Sequence, residues 1–264
     1  MIEVNGVHKA YGKKRILNDI SFRVDKGEFF GIIGPNGSGK STLLKLVSAL
    51  EPANAGEIKL DGRRAQQYTR KELARWMAVL QQDALPPIGF KVREVVEMGR
   101  YPFQNWLGDE KDDSEEVINK IMDRLNLNSL AELPLELLSG GERQRVALGK
   151  TMAQQPRLLL LDEPTTFLDI GYQMQMMDYV KTWQAEERLT VVAVLHDLNL
   201  AAQYCDRILV LHEGRTVCVG APNDMMTSEL ISDVYGTTPI VIHHPESGIP
   251  QILLNPQFTE GRSS

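Results

Sequence analysis

The stretch Gly34-Pro35-Asn36-Gly37-Ser38-Gly39-Lys40-Ser41 fills every fixed place of the pattern G-x-x-x-x-G-K-[ST], and no other feature restricts this chain as much. Three glycines let successive backbone N–H groups turn inward with no Cβ in the way, which is what a polyphosphate needs at close range. Lys40 adds a point charge, and the Ser41 hydroxyl is of the type that ligates Mg²⁺. Upstream, Phe29-Phe30-Gly31-Ile32-Ile33 is a short apolar run ending at the loop; downstream, Thr42-Leu43-Leu44-Lys45-Leu46-Val47 has apolar residues at helical spacing. The order is strand, loop, helix, so the loop sits at a helix N-terminus, where the dipole and unpaired N–H groups favour phosphate. Bound nucleotide is the first inference, with Gly34 to Thr42 as its contacts.

Composition narrows the class. A chain of 264 residues that is 42% hydrophobic has room for one large domain or two closely packed ones. Its formal net charge of −6 supplies no global basic field, so nucleic acid is not the expected partner. The longest apolar runs, Val191 to Leu195 and Leu158 to Leu161, fall far short of the ~20 residues that span a bilayer. Met1-Ile2-Glu3-Val4-Asn5 has no basic start followed by an apolar core, so no secretory signal is expected and a cytoplasmic setting fits. Cys205 and Cys218 lack C-x-x-C spacing and read as buried thiols.

Along the chain, alternation at 2–7 and 20–24, with Glu57 to Leu60 before an Asp61-Gly62 turn, predicts an N-terminal antiparallel sheet. Tyr11-Gly12 falls between the first two strands, where the ring either stacks on an adenine or closes a strand end. A short helical stretch at 71–76 precedes a buried strand, Met77 to Leu80. From Val92 to Ala153 the pattern is helical, with Val92, Val95, Val96 and Gly99 on one face and Val117, Ile118, Ile121, Met122 and Leu125 on another. The charges from Asp109 to Glu116 read as a solvated helix start. A tight Ser139-Gly140-Gly141 turn opens the next helix and is itself a candidate anion site. Strand character returns at Leu158 to Leu161, Thr190 to Leu195 and Ile208 to Leu211, separated by helices at roughly 170–188 and 197–205, an alternation that argues for a parallel sheet covered on both faces. Met174, Met176 and Met177 read as core or interface packing. Pro222 to Tyr235 looks helical, and Ile240 to Ile242 and Ile252 to Leu254 flank Gly248-Ile249-Pro250 as a hairpin. His243-His244, with no third ligand nearby, reads as a surface pair.

The run Leu158 to Leu161 ends in Asp162-Glu163, two acids at the C-terminal edge of a central strand, where α/β sheets put their ligands. Two roles follow: Asp162 holds Mg²⁺, directly or through water, and Glu163 takes a proton from the water attacking the γ-phosphate. The alternative is a charged strand exit leading into Pro164. His196 follows another core strand and is expected to reach the same γ-phosphate from the neighbouring strand's end.

Leu138-Ser139-Gly140-Gly141-Glu142-Arg143-Gln144 matches the L-S-G-G-x-x-Q signature of ATP-binding cassette (ABC) proteins, which the chain resembles over residues 2 to about 225. Tyr11, the loop Gly34 to Ser41, Gln82, the signature, Leu158 to Glu163, Leu168-Asp169 and His196 stand in the family's order. The resemblance implies an α/β fold: a phosphate-loop NTPase (RecA-like) core with a mixed, mostly parallel sheet, an N-terminal antiparallel β subdomain, and a helical signature subdomain at about 85–155. This cassette would occupy 1–225 and a C-terminal extension 226–264.

The resemblance further implies a head-to-tail homodimer holding ATP and Mg²⁺ between one chain's phosphate loop and its partner's Ser139, Gly140, Gly141 and Gln144. Gln82 would sense the γ-phosphate and Mg²⁺, and Asp169 would couple the two sites. Gln81, where related importers often have Pro, and Phe167, before Leu168-Asp169, are departures that bear on loop stiffness and remove no catalytic group. Leu73-Ala74-Arg75, Gly99-Arg100-Tyr101-Pro102 and His196-Asp197-Leu198-Asn199-Leu200-Ala201-Ala202 are similar to ATPase subunits of iron-siderophore, haem and vitamin B12 importers. That similarity implies a place on the cytoplasmic face of the membrane, with 85–150 against an integral membrane permease supplied by an extracytoplasmic substrate-binding protein. The competing reading is a soluble ABC ATPase acting on DNA or the ribosome. One cassette, no sustained heptads and an acidic balance argue against it, and export is disfavoured because exporters commonly fuse their membrane domain.

Overall fold

The computed structural model describes residues 1–81, 85, 89–104 and 114–254. Gln82 lies outside them, as does most of the charged run that begins at Asp109.

The N-terminal sheet forms as alternation predicts, with longer strands. β1 (Ile2–Tyr11) and β2 (Lys14–Val24) pair antiparallel around a Gly12-Lys13 turn. Ile2, Val4 and Val7 of β1 and Leu17, Ile20 and Val24 of β2 point inward. Next comes β3 (Phe29–Ile33), then α1 (Lys40–Val47), then β4 (Ala55–Leu60), which pairs with the other edge of β1, and β5 (Arg63–Arg64) beyond it. The two-residue β5 leaves no periodic signal in the sequence.

Helix α2 (Arg70–Ala74) is opened by a reciprocal cap between Thr69 and Glu72 and leads into β6 (Met77–Leu80). Helices α3 (Val92–Glu97), α4 (Ser114–Arg124) and α5 (Gly140–Ala153) pack on each other through Val92, Val95, Val96, Ile118, Ile121, Met122 and Val146. The second half of the chain alternates: β7 (Leu158–Asp162), α6 (Ile170–Glu187), β8 (Thr190–Val194), α7 (Leu198–Tyr204) and β9 (Arg207–His212). The chain continues through β10 (Arg215–Gly220), α8 (Pro222–Met225), α9 (Ser228–Tyr235) and the hairpin β11 (Pro239–His243) with β12 (Pro250–Leu254). The single helix expected over 222–235 is two, because Thr227 adopts an extended backbone and caps Leu230 N–H. Strand β10, partly exposed at the sheet edge, is a second element that the sequence pattern does not reveal.

The large sheet has the order β10-β9-β3-β8-β7-β6, parallel except for the edge strand β10. Both faces are covered. In β7, Leu159 and Leu161 face one core and Leu158 and Leu160 the other; in β8, Val191 and Ala193 oppose Val192 and Val194. That is why these strands read as continuous apolar runs rather than alternating ones. Met176 and Met177 are buried and Met174 packs against the same core, as their spacing suggested. Cys205 is buried and Cys218 half-buried, both as free thiols. No helix among the described residues is long and apolar enough to cross a membrane.

Candidate functional site

Parallel pairing of β3, β8 and β7 decides where the chemistry sits. Their C-terminal ends lie side by side on one sheet edge, so the chain leaving β3 at Gly34, β7 at Asp162-Glu163 and β8 at Leu195-His196 meets in one place. The phosphate loop, both acids and the histidine, far apart in sequence, are brought together by strand order alone.

The loop is tightly built. Gly34 has φ of 151°, and a Cβ there would stand 2.0 Å from the Leu211 carbonyl oxygen, so only glycine fits between β3 and β9. Lys40 is buried, and its Nζ donates to the Gly34 and Pro35 carbonyls at 2.8 and 3.0 Å. Burial pulls its pKa down, opposed by the Glu163 and Asp162 carboxylates. Ser38 is buried with its Oγ lacking any hydrogen-bond partner among the described residues. Pro35, Asn36 and Gly37 form the outer turn, with open space where a Gly37 Cβ would point. An orphaned hydroxyl, an ammonium held in reserve by its own loop and a bare backbone turn are what a phosphate would complete.

Ser41 Oγ donates to Asp162 Oδ1 at 3.1 Å, tying the start of α1 to the end of β7. Burial pushes the Asp162 carboxyl above its ordinary range, against the lowering effect of that hydrogen bond, and neighbouring Glu163 pushes it the same way as burial. Two hard oxygens fit a small divalent cation that draws its other ligands from phosphate and water. Glu163 occupies a left-handed backbone, φ 53°, rare for a side chain of this size. That conformation goes with a carboxylate turned to the neighbouring strand's exit, where Glu163 Oε1 lies 2.5 Å from His196 Nε2. His196 thus engages the candidate base, a contact that its sequence position did not announce.

Tyr11 closes β1 opposite Lys14 rather than standing in a loop, and its ring is 45% exposed. Its hydroxyl donates to Glu51 Oε2 at 2.5 Å and lies within reach of Thr42 in the first turn of α1; Lys9 Nζ stands 5.0 Å from the ring centroid. The Glu51 contact raises the Tyr11 pKa. Nothing in the sequence near Glu51 marks it as the partner of that ring.

Ser139, Gly140 and Gly141 open α5, as expected, with Ser139 just before its first residue. Ser139 is the cap: its N–H and hydroxyl both donate to Glu142 Oε2, at 2.8 and 2.7 Å, which holds the Glu142 carboxyl below its usual range. A Cβ on Gly141 would meet the Tyr172 ring at 2.7 Å, so the glycine lets α5 and α6 approach. Gln144 Nε2 donates to the Pro164 carbonyl at 3.1 Å, linking α5 to the turn after Glu163. Asp169 caps α6, its Oδ1 accepting from Tyr172 N–H at 2.9 Å. Among the described residues, no hydrogen bond or ion pair joins Ser139, Gly140 or Gly141 to Gly34–Ser41. Phe167, 89% exposed with φ 64°, and Ile170, 80% exposed, stand bare on either side of Asp169. The pair His243 and His244 is exposed, as expected, and no group of three His, Cys, Asp or Glu residues that could hold a metal ion is found among the described residues.

The family model for ABC transporters matches residues 17–166. The ABC transporter ATP-binding protein YvrA of Bacillus subtilis (strain 168) is 41% identical over 97% of this chain, and the chain spans 58% of that protein's length. The ferric enterobactin transport ATP-binding protein FepC of Escherichia coli (strain K12) is 39% identical over 92% of the chain and 90% of its own. Among solved structures, the dimeric ATP-binding cassette MJ0796 in a post-hydrolysis state bound to ADP and Pi superimposes with a TM-score of 0.73 at 28% identity, covering 84% of this chain and 98% of that one.

Proposed function

Because this chain belongs to the ABC transporter family, we propose that it is the ATP-binding and ATP-hydrolysing subunit of an importer for an iron complex, a siderophore or haem, or for vitamin B12. The observation that carries the chemistry is the meeting of Lys40, Ser41, Asp162, Glu163 and His196 at one sheet edge. Similarity to FepC over most of both chains supports the substrate class. The acidic balance gives a DNA- or ribosome-directed ATPase no comparable support.

The backbone N–H groups of the Gly34–Ser41 loop and the Lys40 ammonium bind the β- and γ-phosphates of ATP. Ser41 and Asp162 would hold Mg²⁺, which when bound neutralises charge on those phosphates. Glu163 accepts a proton from the attacking water as the oxygen–γ-phosphorus bond forms and the bond to the ADP oxygen breaks. His196 holds the Glu163 carboxylate through the 2.5 Å contact. Tyr11, exposed beside Thr42, is placed to meet the adenine, and Gln82, outside the described residues, is assigned to γ-phosphate and metal sensing.

Ser139, Gly140, Gly141 and Gln144 complete a second copy's site, a reading supported by the absence, among the described residues, of any hydrogen bond from Ser139, Gly140 or Gly141 to their own phosphate loop, and Asp169 is assigned to the seam between copies. Closing on two ATP and reopening after hydrolysis then drives a separate permease, since ATP favours the closed pair by its differential affinity. The permease would rest on the α3–α5 side, where Phe90 and Tyr101 are exposed, with an extracytoplasmic binding protein delivering substrate. This assigns the chain to the cytoplasmic face of the membrane, with 1–225 as the cassette and 226–264 as its extension. The test is to tag the Glu163→Gln chain in its source cell, solubilise membranes gently with MgATP, and identify what co-purifies. A multi-span permease supports import, and ribosomal or DNA-repair partners without one overturn it.

A further inference from the structure

Helix α9 and the β11–β12 hairpin reach two elements of the ATP site. One side chain covers the free edge of β12: Ile252 N–H donates to Asn199 Oδ1 at 2.7 Å, and Asn199 Nδ2 donates back to the Ile252 carbonyl at 3.3 Å. Ile252 pairs with Val241 on its other side, so Asn199 takes the place that another strand would occupy. Asn199 belongs to the first turn of α7, three residues after His196, and Asp197 caps that turn by accepting from the N–H groups of Asn199 and Leu200. The hairpin is therefore fastened to the turn from which His196 projects.

The second reach is made by Tyr235, the last residue of α9. Its buried hydroxyl oxygen lies against the Gly34 backbone, at the start of the phosphate loop, in a contact that falls short of a well-formed hydrogen bond. Burial pushes its pKa up to about 12, so it is a neutral hydroxyl. Ile231 and Val234 of α9, Leu200 and Ala201 of α7 and Ile252 of β12 share one core, which makes α7, α9 and the hairpin a single packed block.

We propose that Asn199 and Tyr235 are positioning residues of the ATPase site: through Asn199 the hairpin sets the α7 turn that carries His196 against Glu163, and through Tyr235 helix α9 steadies the phosphate loop at Gly34. The inference rests on the ATP-site reading above. Neither side chain touches the reacting atoms. A displacement of about 1 Å in a positioned group is enough to slow a reaction severely, and an unpartnered buried hydroxyl is a liability to folding unless it gains a partner in another state of the loop.

Steady-state ATP hydrolysis by the full chain, with thermal melting in parallel, tests this on Asn199→Ala, Asn199→Asp and Tyr235→Phe. Asn199→Ala should lower kcat about 3- to 10-fold with KM unchanged, and Asn199→Asp, which keeps the acceptor for Ile252 N–H, should recover part of the loss. Tyr235→Phe should raise KM for ATP about 2- to 10-fold, the worth of one neutral hydrogen bond, while Tm holds or rises because the orphan is gone. A merely structural role predicts the reverse: Tm moves and the kinetic constants stay within twofold. That result overturns the proposal, and Tyr235→Phe, which removes one oxygen, delivers it even if Asn199→Ala does not fold. Lys40→Ala, run alongside, separates the two levels. If it loses nucleotide while Asn199 and Tyr235 variants behave as native, only this inference falls; if it binds nucleotide normally, the ATP-site reading falls with it.

Discussion

The two glycine-rich helix starts of this chain are built in opposite ways. At Gly34–Ser41 the loop packs on β9 at Gly34, its lysine is held by its own carbonyls, Ser41 meets Asp162 at the end of β7, and Glu163 meets His196 from the exit of β8. At Ser139–Gly141 the hydroxyl is spent on Glu142, and the surroundings are bare apolar side chains: Leu137 at 69%, Phe167 at 89% and Ile170 at 80% exposure. The first region gathers inward-facing polar groups around one buried turn. The second turns apolar side chains outward, and the difference is what the proposed division of a site between two copies would require of each.

Breaking the first region should have the largest effect. Glu163→Gln keeps the loop, Lys40 and Ser41 but removes the proton acceptor, so single-turnover hydrolysis should fall by about 10²- to 10⁴-fold while nucleotide stays bound. Turnover within a few-fold of native would remove Glu163 from its role. Lys40→Ala comes next, because a charge-assisted contact to phosphate contributes about 1.5–3 kcal/mol. ATP affinity by equilibrium titration should drop roughly 10- to 100-fold, and an unchanged affinity would take the phosphate site away from this loop.

The second region calls for a different experiment, since its proposed contribution is to a partner chain. Phe167 is exposed in the single chain, so Phe167→Asp should leave the monomer's stability within about 0.5 kcal/mol. Aspartate also tolerates the left-handed backbone found there. Sedimentation of the MgATP-bound Glu163→Gln chain should show self-association weakened about tenfold or more by the added substitution, as a bare aromatic anchor at an interface implies. Equal association would move the seam between copies elsewhere.

The same contrast explains what the sequence let a reader see. Local pattern sufficed wherever one stretch carries both the chemistry and its support: Gly34–Ser41 between Ile33 and α1, Asp162-Glu163 at the end of Leu158 to Leu161, and the Ser139-Gly140-Gly141 turn at the start of α5. What pattern does not reveal is register across the sheet. The His196–Glu163 contact depends on β7 and β8 being neighbours, the Tyr11–Glu51 hydrogen bond on β1 ending beside the segment after α1, and the Asn199–Ile252 clasp on a hairpin 53 residues away. Strand β10 escapes the pattern because half-buried edge strands need no strong alternation, and α8 and α9 read as one helix because only two residues, Met226 and the extended Thr227, separate them.

The smallest shift expected lies within the first region and sharpens what its readiness means for folding. Asp162 is a partly buried carboxylate whose pKa is raised by burial and by Glu163, with Ser41, Lys45 and Lys40 opposing. A pKa above that of the unfolded chain means that the folded state binds the proton more tightly, so its charged form opposes folding. The destabilisation is absent below the ordinary aspartate value of 3.8, where the carboxyl is neutral in both states, and grows as pH rises through the raised value. Asp162→Asn keeps the shape and an oxygen to accept from Ser41 Oγ. Without nucleotide or metal, it should melt higher than native at neutral pH, and the two should converge as the pH falls below the ordinary aspartate value of 3.8. With MgATP the order should reverse, because native protein gains ligand stabilisation that the variant has lost. A variant that melts lower than native at neutral pH without ligand would make Asp162 a structural partner of Ser41 rather than a group held ready for a cation.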